Sequence, residues 1–490
     1  MVTIISGNKS FNIPLGGAAY TGEKVPGDLD GWNRLISDPN KFLNGTYDLI
    51  SQSCLSLYHT YGPAHAAVNK HTDYAVGDGL YFRSQPDYDL LGWNKEYARD
   101  WARRFQKLLY YKMQLLNLFQ KQNAAFRGAL AGGDTVTYFV RDKDGLDIVE
   151  FPGTEIDAKN NDENVTLGIK HDKFYRRQGF YNRQGQYTDF SANNRQNAVQ
   201  FLLKYFPRQL RGYPLIYPNI AHSKNDDRFE DATLAAAVLE AMLAIVTESE
   251  SPSEEKAQIE NLAKKMKGSG PIRKALDALS SLGNATRLGT GNIMNIRAPG
   301  KVHALDKKTP SNTYAPFKEW RLKQFGMGAN TPPEVVLSEY STSYTAHRGA
   351  LNDFIKTYTW EREAFNTSWN APVLRELAVE LIFEGAIDAP GFLTGSPIVR
   401  EAYLKGNWLG PVPGTINPFQ EINAKEKSVK NMFTLRSDEM FNLSGMDYED
   451  VLAMWQEEET RFNEMRPGQQ AAAVEKQDEK NISQVQEAEK

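Results

Sequence analysis

The chain has 490 residues, of which 41% are hydrophobic and 24% charged, with a formal net charge of −4. That length predicts about two to four structural units, and the ordinary globular balance excludes wholesale disorder and collagen-like repeats. The single cysteine, Cys54, excludes an intrachain disulfide and a Cys-based zinc site, and makes a reducing compartment the default expectation.

The charge is unevenly placed. Lys170–Arg211 carries nine Lys/Arg against two Asp/Glu, Trp93–Leu130 eight against two, and Phe441–Lys490 five against twelve. Such asymmetry points to different partners at different ends of a molecule, while the near-neutral total argues against a strongly basic nucleic-acid coat. The opening residues hold no basic segment or apolar run of secretory length, so no export signal is expected. Leu234–Val246 is the best membrane candidate, but it is too short to span and contains Glu240. It reads as a buried helix, and no membrane partner is expected.

Residues 1–45, rich in Gly and Pro, read as an extended arm. Residues 46–76 are expected to be helical through Tyr47, Leu49, Ile50, Leu55 and Leu57. Pro63 restarts the helix and Gly77-Asp78-Gly79 ends it. From 93 to 130, Trp93, Tyr97, Trp101, Phe105 and Leu109 recur every four residues, as Lys95, Arg99, Arg103 and Lys107 do on another face. This predicts the longest helix, stopped by Gly132-Gly133. Thr135–Val140 reads as a strand and Asp144-Gly145 as a hairpin turn. Residues 141–215 predict a small strand-rich module, inserted at the tip of two helices that pack together, the second at 226–248. Two weak amphipathic helices fall in 249–290 and short strands near 291–306. Helices are expected at 316–327 and 342–383, with Pro332-Pro333 between them, and in pieces over 425–465. Residues 466–490 are a low-complexity tail. The fold class is α+β, mostly α.

Enzyme motifs are not found. The seven histidines form no HExxH motif and no metal-ligand spacing, and there is no GxxxxGK[ST] or GxSxG sequence. No catalytic, metal or cofactor residues are assigned. Cys54 on an apolar helix face reads as core. Paired carboxylates of the glycosidase type have no local spacing rule, so a hydrolase with dispersed carboxylates stays open. Glu457-Glu458-Glu459 is more simply a solvated helix face.

Two basic stretches carry alternative readings. In the first, Lys173, Arg176, Arg177, Arg183 and Arg195 alternate with Phe174, Tyr175, Phe180, Tyr181 and Tyr187. The cations could contact phosphates and the rings could stack on bases. Equally, the rings could form the core of a β module with a wet, charged face, or the patch could dock onto an acidic protein. In the second, the Trp/Tyr/Phe stripe of 93–130 reads as core or subunit interface. Its Lys95, Arg99, Arg103, Lys107 stripe is either solvated or, in a ring with a pore, a belt of charge.

Several segments, in order, resemble the lambda-type portal proteins of tailed bacteriophages. Ala67-Val68-Asn69-Lys70 and Val76-Gly77-Asp78-Gly79-Leu80 are similar to the family's early helix and its exit. Gln209, Arg211 and Gly212 stand in a Gln-x-Arg-Gly-x-Pro segment, followed by the Ala-rich DDRFEDATLAAAVLEA. Ala298-Pro299-Gly300 resembles a Pro-Gly turn. The block from Pro332 and the block holding Tyr344 and Arg348 look like the next two. Trp408 to Pro411, then Ile416 to Pro418, resemble the C-terminal block. His347 departs from the small residue usual before that arginine.

The resemblance implies a non-enzymatic portal fold of wing, stem, clip and crown, without a cofactor. It implies a homo-oligomeric ring, usually a dodecamer, at one capsid vertex of the virion, assembled in the host cytoplasm. Double-stranded DNA would pass through its channel in packaging and ejection. Its partners would be the terminase large subunit, a head–tail connector or adaptor, the major capsid protein and a scaffold. The implied layout is a 1–45 arm, a wing at 46–92 and 291–400, stem helices at 93–140 and 216–248, and a clip at 141–215. A tunnel-side insertion at 249–290, a crown at 401–465 and a tail at 466–490 complete it. A capsid-associated adaptor or scaffolding protein is the remaining alternative; long uninterrupted helices without a strand module would mark it.

Overall fold

The computed structural model describes residues 2–6, 9–13, 38–143, 145–192, 195–246, 314–339, 344–411, 418–444 and 448–465. The expectations for 249–290, 291–306 and 466–490 lie outside them. The chain divides into two compact units, 1–72 with 124–373 and 73–123 with 374–490. It is mixed α and β and mostly helical, as expected.

Strands β1 (Val2–Ser6) and β2 (Lys9–Ile13) pair antiparallel, Val2 opposite Ile13. Helix α1 (Pro39–Leu43) starts on an Asp38 cap, whose carboxylate accepts from the Asn40 N–H. These elements replace the irregular arm at the described positions. The restart at Pro63 is present between α2 (Tyr47–Thr60) and α3 (Gly62–Ala75), because proline is tolerated in a first helical turn. Cys54 is buried, and burial pushes its thiol pKa up.

Strand β3 (Tyr81–Ser84) and short helix α4 (Tyr88–Leu91) precede α5 (Lys95–Leu115) and α6 (Leu118–Gly132). The single helix expected over 93–130 is therefore broken. Asn117 adopts a left-handed φ of 50° and its N–H closes on the Gln114 carbonyl. Asparagine enters this region more readily than other side chains. Trp101, Phe105 and Leu109 are buried as the stripe predicts, whereas Tyr97 is exposed and Trp93 precedes the helix.

Strands β4 (Asp134–Asp142) and β5 (Gly145–Pro152) form the expected hairpin, and β12 (Ala198–Leu202) pairs along the other edge of β4. Between them β6 (Val165–Thr166), β7 (Ile169–His171), β8 (Arg177–Tyr181) and β9 (Tyr187–Asp189) make an antiparallel meander. Strands β10 (Ser191–Ala192) and β11 (Arg195–Gln196) form a short pair. Val136 and Ala198 from the first sheet, Ile169 and Phe180 from the meander, and Ile156 and Leu210 make one core. Burying Phe180 alone contributes about 1.5–3 kcal/mol. The strand-rich module is real, and it begins at 134.

Helix α7 (Ile220–Val246) starts earlier than expected, directly after the turn Tyr217–Asn219. It packs on α2 and on α8 (Tyr314–Gly328), which differ from the 93–130 partner expected. Tyr61 donates to Asp226, Lys318 pairs with Asp226, and Phe229 meets Phe317 at 4.6 Å. Leu234 is exposed rather than buried, and the side chains after it lie outside the described residues.

After α9 (Pro333–Leu337), α10 (Tyr344–Phe365) continues through one π turn, Asn366–Asn370, into α11 (Ala371–Phe383). The turn sits just before Pro372, whose missing N–H cannot hold an ordinary helical bond. It places Trp369 in the core, with its indole N–H donating to Thr137 Oγ1 at 2.9 Å. The second unit ends with α12 (Pro397–Tyr403), β13 (Gly406–Leu409), α13 (Pro418–Lys430), α14 (Arg436–Ser444) and α15 (Tyr448–Met465). β13 pairs antiparallel with β3, Gly406 opposite Ser84. No helix among the described residues is long and apolar enough to cross a membrane.

Candidate functional site

The Gln-x-Arg-Gly segment sits inside the first unit, not on its surface. Arg211 is fully buried and forks onto Asp134, Nε to Oδ2 at 2.6 Å and Nη2 to Oδ1 at 3.1 Å. It also donates to the carbonyls of Leu167 and Gly153, and its guanidinium lies 3.9 Å from the Tyr47 ring centroid. Tyr47 and Gln200 each donate to the same carboxylate. Burial alone would lower the Arg211 pKa, but the Asp134 charge and Tyr47 oppose it, and the net shift is upward. Burial lifts the Tyr47 phenol, with Arg211 opposing and Asp134 adding.

The neighbours of Arg211 complete a knot. Gln209 accepts from the N–H groups of Tyr205 and Phe206 and donates to the carbonyls of Leu203 and Arg211. The Asn40 amide donates to the Arg208 carbonyl, and its oxygen accepts from the Leu210 N–H. Gly212 lies against Gly133, where an added Cβ would fall 1.7 Å from the Gly133 carbonyl oxygen. The motif therefore welds α1, α2, β4 and the meander together. It is a structural keystone, and its charge offers nothing to a ligand.

The strand module resolves most of its alternatives toward core. Phe180 is fully buried, and Tyr175 and Phe190 pack against the same cluster. Arg177, exposed on β8, donates from Nη1 to the Gln200 side chain at 3.0 Å. Arg183 reaches the Thr154 carbonyl and Asp48, and Arg195 is half-buried on β11. The turn before β8 is different. Phe174 is 65% exposed, with Lys173 and Arg176 over its ring at 5.0 and 5.5 Å. Arg176 also pairs with Asp172 at 2.6 Å.

In the second unit, Lys95, Arg99 and Arg103 line one cleft of about 710 Å³, together with Arg83, Asp87, Asp89 and Lys405. Lys107 is exposed and outside it. Arg83 and Lys405 were not legible as partners of the stripe, because the pairing of β3 with β13 brings them there. Lys405 and the Leu90 N–H hold the Asp87 carboxyl below its ordinary range.

The remaining motif residues are architectural or peripheral. Pro332 precedes α9 and follows Thr331, which bonds buried His71 at 2.9 Å; His71 in turn meets Glu361 at 2.7 Å. Tyr344 opens α10 and Arg348 is exposed on it. Trp408 packs on Phe82 at 5.2 Å, and Pro418 opens α13.

Two comparisons fix the class. Residues 26–362 match the model of the family described as phage portal protein, lambda family. Over 483 aligned residues the chain is 20% identical to a portal protein of Escherichia phage N15, covering 91% of each sequence. The chain belongs to the lambda family of phage portal proteins, a structural rather than enzymatic family. The dispersed-carboxylate hydrolase is not favoured.

Proposed function

We propose that this chain is the repeating subunit of a portal ring at one vertex of a phage head. Membership of the portal family carries this reading. Copies, usually twelve in the family, surround a channel through which double-stranded DNA enters during packaging and leaves during ejection. The terminase large subunit docks on the ring first and a head–tail connector later, with the major capsid protein around it. A net charge of −4 suits a conduit, because strong phosphate binding would brake a sliding duplex.

The strand module fits the clip, the helices α5, α6 and α7 the stem, and 401–465 the crown. The exposed Lys173–Phe174–Arg176 turn fits the docking tip. Lys107 is the better candidate for a channel charge, since Lys95, Arg99 and Arg103 line a cleft.

Phe174→Ala with Arg176→Ala should leave rings intact and lower terminase-driven packaging in vitro by at least several-fold. Unchanged packaging and connector attachment would remove the tip from the docking surface. Arg177→Ala is expected to act on stability instead, because it removes the donor that satisfies Gln200.

A further inference from the structure

The loop after β12 exposes five residues in succession, Lys204, Tyr205, Phe206, Pro207 and Arg208. Its two rings are 45% and 52% exposed, and Trp360 of α10, itself 46% exposed, lies 5.6 Å from the Tyr205 ring. Neither Lys204 nor Arg208 pairs with a carboxylate among the described residues, although Arg208 lies over the Tyr175 ring at 5.4 Å. Of the carboxylates near these rings, Asp38 caps α1 and Glu361 is buried against His71.

The loop is fixed from beneath. Gln209 Oε1 accepts from the Tyr205 and Phe206 N–H groups at 2.8 and 3.1 Å, and the Asn40 amide donates to the Arg208 carbonyl at 2.9 Å. Phe206–Gln209 is a turn, closed by the Gln209 N–H on the Phe206 carbonyl at 3.4 Å. Pro207 holds its second position. Arg208 holds the third with a φ of 62°, where glycine or asparagine is usual. Arginine there carries strain that glycine would relieve, and what it adds is a charge beside the rings.

We propose that this loop and Trp360 form a docking surface for an acidic segment of another protein. The partner's apolar side chains cover the three rings, and its carboxylates meet Lys204 and Arg208. Tyr, Trp, Phe and Arg concentrate binding energy in protein interfaces, and a loop already held in place loses little entropy on docking. The uncompensated positive charge selects an acidic partner. Duplex DNA is the less favoured occupant, because its bases stay stacked on one another and leave the three rings nothing to cover. The surface lies wholly in the first unit, so the proposal stands apart from ring closure.

Anisotropy titrations of the full chain with three labelled probes test it: a peptide of Glu-Glu-Leu repeats, the same peptide with Lys for Glu, and a short DNA duplex. The wild-type chain should prefer the Glu peptide. Lys204→Glu with Arg208→Glu should weaken that binding by at least about tenfold and turn the preference to the Lys peptide. Trp360→Ala should weaken the Glu peptide without reversing the preference. Arg208→Gly should weaken it while the denaturant midpoint stays level or rises, a combination that a purely structural arginine would not give. A wild-type chain without preference for the Glu peptide, or variants that bind as the wild type does, would overturn the proposal. Duplex binding that the charge-reversed chain loses would give the surface to nucleic acid and overturn it too. A mass by light scattering that falls on charge reversal would make the occupant a second copy, with the same consequence.

Discussion

Arg211→Ala is expected to destabilise the first unit by about 3–5 kcal/mol, because it strands a fully buried Asp134 carboxylate without its charge partner. The same change unsatisfies the carbonyls of Leu167 and Gly153 and removes the cation over Tyr47. Denaturant unfolding would show it as a lowered midpoint. Arg176→Ala, whose side chain is 77% exposed, should move that midpoint by less than about 0.5 kcal/mol. Equal effects at the two arginines would show that Arg211 is no keystone.

Gly212→Ala should be of similar size or abolish folding. Its new Cβ would fall 1.7 Å from the Gly133 carbonyl oxygen, and both neighbours are backbone, so relief requires moving the end of α6 or the start of β4. Gly349→Ala is the matched control. It lies within α10 with nothing within 4 Å of the added atom, so alanine should stabilise that helix by about 0.5–1 kcal/mol. Opposite signs at two glycines in one chain would be read in a single pair of unfolding curves.

Much of the secondary structure was legible, because its punctuation is local. Pro63 restarts a helix, Gly132-Gly133 stops one, and β4 and β5 pair about the expected hairpin. The break at Asn117 was hidden, since Leu116 and Leu118 preserve the apolar pattern around it. The π turn before Pro372 was equally silent against a continuous helical periodicity.

The sites were less legible, because charge in a sequence does not say which way a side chain points. Arg211 and Arg177 both counted toward the basic stretch from Lys170. In the fold Arg211 is neutralised by Asp134, 77 residues away, and the exposed Arg177 gives one donor to Gln200. The most exposed aromatic ring of the stretch is Phe174, 65% exposed between Lys173 and Arg176. Of the aromatic stripe on α5, Trp101, Phe105 and Leu109 are buried and Tyr97 is exposed. Only the pairing of β3 with β13 turned the basic face of α5 into a cleft wall.

Mass and shape together test whether the copies close into a ring. Size-exclusion chromatography with light scattering, followed by imaging of the peak, should give particles of about 660 kDa with a central hole, as expected for twelve 55.2 kDa chains. A homogeneous 55.2 kDa monomer at every concentration, with no hole-bearing particle even when capsid and scaffolding proteins are supplied, would contradict it.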